Sequence, residues 1–404
     1  MDDALPDAPA AADVKARLAE QVDRRRELLL DVSHRIHAHP ETNYEERYAH
    51  DLLTQVLEDE GLPVVRRARG LDTAFEALAG FGGPTVAVVC EYDALPGIGH
   101  ACGHNVIAAA VAEEVGARVV IVGTPAEEGG GGKIRLIDEG AFEGVDAALM
   151  VHPAGHDLTR MDTIAVQEVS AAYSGRAAHA AAAPHEGRNA LDAAVLGYLN
   201  VAALRQHIRP RERVHGVFGD GGDKPNIVPA TARTDWMVRA PSIQSLQPLK
   251  ERVTACLEAG ASAAGCDVEL AWKSFAYADM LDNQAMLACY RANAAGLGRT
   301  VLDPDEDRTV VGSTDMGNVS YLVPSIHPMI AAAPAGTAIH TADFAAHAAS
   351  PSGDQAIVDG AVAMACTVAD LWLGEGVLEA VRAEFAATIE RVGPDAVRSA
   401  IGRG

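Results

Sequence analysis

The sequence predicts an α/β protein with a mostly parallel sheet, interrupted by an inserted α+β domain of ferredoxin-like order. Three observations predict it. Short apolar runs alternate with helical stretches between residues 73 and 162, a βαββαβ order follows from 165 to 279, and helical patterning resumes from 280 to 404. The length of 404 residues suits that plan, because single cores stop growing near about 250–300 residues. The expected division is a first domain in two parts, 1–164 and 280–404, interrupted by an inserted domain at 165–279.

The elements follow in order. After an Ala/Pro/Asp-rich arm to about Asp13, residues 14–57 have helical spacing, with Leu28, Leu29, Val32 and Ile36 on one side. They read as helix, loop at His39-Pro40-Glu41, and second helix. The runs 85–89, 118–122 and 147–151 are unbroken and β-branched, as in strands covered on both faces. Polar groups follow each run at once: Cys90-Glu91-Tyr92-Asp93, then Thr124-Pro125-Ala126-Glu127-Glu128, then His152-Pro153. Functional residues of such sheets gather at the strand C-terminal ends. In the insert, strand 165–173, helix 189–205, strands 214–219 and 232–239, helix 243–264 and strand 267–272 give the βαββαβ order. A helix at 283–295, segments 310–320 and 326–332, and a helical tail complete the first domain.

Composition narrows the function. With 33 basic and 56 acidic residues the net charge is −23, which argues against nucleic acid or an anionic membrane as partner. The N-terminus has no basic segment followed by an apolar one, and no apolar run is expected to reach the roughly 18 residues that span a bilayer. Six scattered cysteines form no disulfide framework, so a reducing cytoplasm is the expected location.

Chemistry concentrates in a few places. His100-Ala-Cys102-Gly-His104-Asn105 offers two imidazoles and a thiol in five positions, donors suited to Zn²⁺ or a neighbouring transition metal. A loop of exposed histidines would also account for that cluster alone. Glu127-Glu128 precedes four glycines; adjacent carboxylates point different ways, so one can bind metal while the other acts as general base. The glycines would let backbone pass close to a ligand. A phosphate loop is excluded because Lys133 is followed by Ile134, and no GxGxxG follows the first strand. His152 and His340 each follow an apolar stretch, bringing the donors to five: Cys102, His104, Glu128, His152 and His340.

Asp93-Ala-Leu-Pro96, Gly99-His-Ala-Cys-Gly-His-Asn105, Gly123-Thr-Pro-Ala-Glu-Glu-Gly129, Pro225-Asn-Ile-Val-Pro229 and Gly312-Ser-Thr-Asp-Met-Gly317 together resemble the aminoacylase/carboxypeptidase-G superfamily of co-catalytic metallopeptidases. Within it the chain is most similar to the amidohydrolase branch of p-aminobenzoyl-glutamate hydrolase and xaa-dipeptidase-like proteins. The resemblance implies a zinc-peptidase-like catalytic domain, a lid through which two copies dimerise, and two divalent ions (Zn, Mn or Co). It implies metal ligation by Cys102, His104, Glu128, His152 and His340, a general base in Glu127, and an orienting carboxylate in Asp93. His179 in Gly175-Arg-Ala-Ala-His-Ala180 matches the lid histidine that donates to the oxyanion. Asn226 matches a substrate-contacting asparagine, and Arg239 is placed to pair a substrate carboxylate or, alternatively, to form a structural ion pair. His215 is a further lid candidate or a surface strand histidine.

The expected activity is hydrolysis of the amide bond of an N-acyl amino acid or dipeptide, with that small molecule and a second copy of the chain as partners. One departure stands out. Only residues 106–117 connect Asn105 to the next strand, room for a helix of about ten to twelve residues where members of the family carry a longer one. A shortened helix behind Cys102 and His104 supports the competing expectation, a metal-poor, non-catalytic binding or regulatory protein of the same fold.

Overall fold

The structure, a computed structural model, describes residues 11–102, 118–305 and 310–402. The chain forms two compact units: Met1–Asp162 with Met280–Gly393, and Thr163–Asp279 with Pro394–Gly404. The last segment groups with the inserted unit rather than with the first, after Gly393 (φ 80, ψ 164) interrupts the helix Val377–Ala400.

The first unit is built on a six-stranded sheet in the order Val64–Arg66, Phe75–Ala79, Arg118–Thr124, Thr85–Glu91, Ala147–Leu149, Ser325–Ile326. The last four run parallel, and the first two are antiparallel additions at one edge. Every residue of Thr85–Glu91 is buried, which is why its sequence shows no polar alternation. Val86 and Val88 share one core cluster with Val32 and Ile36 of the helix Arg26–Ala38, Leu52 and Leu53 of Arg47–Asp59, and Ile357, Met364, Val368 and Leu371 of Pro351–Leu373. That last helix corrects one expectation, since by length and composition it could cross a membrane. Its apolar residues instead lie in the core: 78% of its most apolar window is buried.

Two other boundaries differ from the sequence reading. The N-terminal helical stretch breaks at Arg25 (φ −97, ψ 4), giving Ala11–Arg24 and Arg26–Ala38 among the described residues. The run 147–151 is not one strand: Ala147–Leu149 belongs to the large sheet, whereas His152–Ala154 pairs in parallel with Met329–Ala331 in a separate two-stranded sheet. That step delivers His152 to a new position just beyond the main sheet's C-terminal edge.

The second unit holds four antiparallel strands in the order Asp267–Trp272, Ala165–Ser174, Thr231–Ala240, Arg213–Asp220, with helices Ala190–Leu204 and Ile243–Ala264. In chain order this is 4-1-3-2, the ferredoxin-like arrangement. Alternate residues Thr234, Trp236, Val238 and Ala240 are buried while Asp235, Met237 and Arg239 are less so, the period of a sheet with one covered face. Ile243–Ala264 ends where its sequence says: Ser242 and Ser245 form a capping box, and Gly265 turns left-handed (φ 64). The two helices meet at glycine, because a Cβ on Gly260 would lie 2.4 Å from the backbone nitrogen of Gly197.

Candidate active site

The donors converge at the C-terminal side of the main sheet. Cys102 Sγ lies 3.3 Å from His152 Nε2 and 3.4 Å from His340 Nε2, and His340 Nε2 lies 3.4 Å from Glu128 Oε1. Two ligands at about 2.3 Å (S) and 2.1 Å (N) from a tetrahedral Zn²⁺ would stand about 3.6 Å apart, so these separations suit a shared ion. Cys102, Glu128 and His340 each offer one donor atom within a 4.8 Å set. Cys102 and His152 are buried, and the His340 side chain is half exposed, leaving one open side. His152 Nδ1 bonds its neighbour Pro153's carbonyl oxygen at 2.8 Å, which turns Nε2 towards the cluster. His340 sits at φ 63, a left-handed conformation unusual for a side-chain residue, and its N–H donates to the Ala101 oxygen at 2.9 Å. That bond ties the fifth donor's backbone to the residue before Cys102. His104 and the shortened connection at 106–117 lie outside the described residues.

Glu127 faces a different neighbourhood. Its carboxylate, with those of Glu91 and Asp315, forms a second set within 4.8 Å, all three residues buried. Lys133 holds this set: its fully buried Nζ lies 2.5 Å from Glu91 Oε1 and 2.7 Å from Asp315 Oδ1, and its backbone N–H donates to Asp315 Oδ2 at 2.9 Å. Burial alone would depress the lysine's pKa, but Asp315, Glu91 and Glu127 together raise it, so it stays charged. Burial pushes Asp315 up to about 6 against the pull of Lys133. The sequence pattern singles out Lys133 only as failing a phosphate-loop motif and leaves Asp315 without a role. Neither carries a local signal, since Lys133 follows four glycines and precedes Ile134-Arg135, and Asp315 stands among Ser313, Thr314 and Asn318; only burial reveals that each demands a partner.

Asp93 is buried, and its Oδ2 accepts the backbone N–H of Glu128 at 2.9 Å, orienting the donor residue through its main chain. The glycines after Glu128 serve a purpose other than ligand approach. A Cβ on Gly132 would sit 1.8 Å from the Pro125 oxygen, and one on Gly130 would sit 2.4 Å from the Ala126 Cβ. They let the loop fold back on itself.

In the inserted unit, His179 and Asn226 come together: His179 pairs with Ile227 in a β-bridge, and the Ala180 N–H donates to the Asn226 oxygen at 3.1 Å. Both residues are exposed. His179 Nδ1 accepts from the backbone N–H groups of Ala181 and Ala182, each at 3.2 Å, so in the neutral ring Nε2 carries the proton and can donate. His215 and Arg239 share the sheet face opposite the helices, His215 in register with Met237 and Arg239 with Arg213. His215 is exposed. Arg239 is half-buried, its guanidinium approaches Met237 Sδ at 2.9 Å, and burial lowers its pKa although Glu168 opposes the shift.

A split α/β unit with a thiol, imidazole and carboxylate cluster, a neighbouring buried carboxylate and a ferredoxin-like insert defines a class: metal-dependent hydrolases of C–N amide bonds. The model of a peptidase dimerisation domain matches residues 169–264. Xaa-Arg dipeptidase of Mus musculus is 40% identical, with 95% of each chain covered. A p-aminobenzoyl-glutamate hydrolase polypeptide of Escherichia coli (strain K12) is 31% identical, covering 91% of this chain and 93% of its own. The crystal structure of the Bacillus subtilis YXEP protein, described as a dinuclear metal binding peptidase from the M20 family, superposes with TM-score 0.66 at 19% identity, covering 87% and 99%. The chain belongs to the M20 peptidase family, alongside these amide-cleaving relatives.

Proposed function

We propose that this enzyme is a dipeptidase that prefers a basic C-terminal residue, with Glu127 as general base. The observation that carries the substrate class is the 40% identity with an Xaa-Arg dipeptidase over 95% of both chains. The net charge of −23 supports it, since an acidic protein attracts a cationic side chain.

Two divalent ions would be held by Cys102, Glu128, His152 and His340, together with His104; the mixed donor set accommodates Zn²⁺, Mn²⁺ or Co²⁺. When bound, such ions lower the pKa of water and polarise the scissile carbonyl. Glu127 takes the proton of the attacking water and returns it to the departing amine, the same carboxylate serving as base and then acid. Its setting beside Lys133 keeps a fixed positive charge near the carboxylate between those steps. Asp93 keeps Glu128 in register with the other donors through the 2.9 Å bond to its backbone. His179, with its proton on Nε2, supplies a donor for the oxyanion, and Asn226 on the same bridged pair of loops contacts the substrate backbone. Arg239 and His215, on one sheet face, are the groups for the substrate carboxylate.

We also propose a homodimer through the lid. Val195, Leu196 and Leu199 of the helix Ala190–Leu204 and, on the edge strand Arg213–Asp220, Phe218, which stacks on Tyr198, are exposed apolar residues beside an open strand. A reducing cytoplasm suits six free thiols, one of them a proposed ligand.

The test is a panel of dipeptides with C-terminal Arg, Lys, Ala or Glu, plus p-aminobenzoyl-glutamate, assayed with added Zn²⁺, Mn²⁺ or Co²⁺. The expected result is a kcat/KM at least about tenfold higher for the basic dipeptides, the size of one well-placed charge pairing. A preference for the glutamate conjugates would reverse the substrate class.

A further inference from the structure

The turn between the helices Arg26–Ala38 and Arg47–Asp59 reaches the loop that carries Glu127 and Glu128. Asn43 Nδ2 donates to the Glu128 oxygen at 3.3 Å, and the Tyr44 hydroxyl donates to the Gly130 oxygen at 2.7 Å. Glu46 Oε1 accepts the backbone N–H of Ala126 at 2.9 Å and that of Tyr44 at 2.9 Å, while its Oε2 accepts from the Thr73 hydroxyl at 3.0 Å. The Arg135 guanidinium lies over the Tyr44 ring at 4.8 Å. Glu46 is fully buried.

The residue so gripped is an unusual one. Ala126 has φ 59, a left-handed conformation that side-chain residues avoid, and it stands directly before the two carboxylates. Relaxation to an ordinary negative φ would rotate the chain there by about 120° and carry Glu127 and Glu128 away from their present neighbours. The Ala126 N–H is held by a buried carboxyl oxygen of Glu46.

We propose that Glu46, with Asn43 and Tyr44, is a positioning residue that locks Ala126 left-handed and thereby aims Glu128 at the metal cluster and Glu127 beside it. The proposal rests on the reading of Glu127 and Glu128 as base and ligand. It explains why a turn some eighty residues upstream carries Asn, Tyr and Glu within four positions. It also explains the glycine at 130, where a side chain would strike the locked Ala126.

The test compares wild type, Glu46→Ala, Glu46→Gln and Glu46→Ala/Ala126→Gly. Three readouts apply: amide exchange of residues 126–131 in metal-free protein, Zn²⁺ affinity by competition with a chromophoric chelator, and kcat with KM. Glu46→Ala is expected to speed exchange at least tenfold, weaken Zn²⁺ binding about tenfold, as loss of a ligand-orienting partner does, and lower kcat about tenfold at similar KM. Glu46→Gln keeps an acceptor and restores affinity towards wild type. Ala126→Gly, which adopts the left-handed turn without penalty, recovers several-fold in Zn²⁺ affinity in the Glu46→Ala background, a rescue that a merely structural Glu46 would not show. Unchanged exchange and affinity in Glu46→Ala, or no recovery on adding Ala126→Gly, overturns the proposal. If Glu46→Ala yields no soluble protein, Tyr44→Phe decides: exchange at 129–131 about threefold faster supports the clamp, and unchanged exchange overturns it. A wild-type protein that cleaves no dipeptide defeats the functional reading instead, and the exchange data still judge the clamp.

Discussion

Glu127 and Glu128 are chain neighbours whose surroundings differ. Glu128 lies 3.4 Å from a donor imidazole and is held through its backbone by Asp93, while Glu127 is buried beside Lys133 and two other carboxylates. Nothing in the dipeptide Glu-Glu distinguishes them; the difference arises from contacts between residues far apart in the chain. Another carboxylate shows what burial does without such a partner. Asp282 is half-buried, its enclosed Oδ1 accepts no hydrogen bond among the described residues, and desolvation pushes its pKa up to about 7 against a weak pull from Arg160. Between the ordinary value of 3.8 and about 7 the folded protein holds a proton there that the unfolded chain has released, so stability falls as pH rises through that window. Asp282→Asn, neutral at every pH, is expected to be more stable than wild type by about 1–3 kcal/mol at pH 8 and nearly equal to it at pH 4. Urea denaturation at the two pH values checks this, and an equal difference at both would contradict it.

At the scale of elements, legibility followed the range of the forces. The helix Ile243–Ala264 is readable to the residue because Ser242 and Gly265 signal its ends locally. The βαββαβ order of the insert is readable from alternation alone. Breaks set by distant contacts were not: the 147–151 run splits because His152 joins a strand from residues 329–331, and the helical stretch near Arg25 breaks where two helices pack separately on the core. The proximity of Cys102, Glu128, His152 and His340 was legible because chemistry gathers where apolar strand runs end, whereas Lys133, Asp315 and the Asn43–Glu46 turn act across 42 to 182 positions and left no local pattern. The exposed helix and edge strand of the lid carry an element-scale prediction. Leu199→Asp with Phe218→Asp places charge in the proposed interface and is expected to convert dimers to monomers in light scattering, without loss of helix content by circular dichroism. A wild-type monomer, or a double variant that stays dimeric, would contradict the lid interface.

The whole molecule carries 23 more negative than positive formal charges. For an anionic amino-acid substrate that field is an obstacle. For a dipeptide ending in Arg or Lys the same field assists, raising the local concentration of substrate and its association rate. The preference should therefore weaken with salt: raising ionic strength from about 0.02 to 0.5 M is expected to lower kcat/KM for a basic dipeptide several-fold and leave a neutral one within twofold, because screening shortens the reach of the field. Equal salt responses would detach the global charge from substrate choice.

The proposed chemistry joins a metal cluster around Cys102, Glu128, His152 and His340 to Glu127 as a separate base. The most direct measurement is turnover by Glu127→Gln protein loaded with metal and shown by mass spectrometry to hold as many ions per chain as wild type. The expected result is a fall in kcat of at least about 100-fold, the usual contribution of a general base, with metal content unchanged. Wild-type turnover by that fully loaded variant would contradict it.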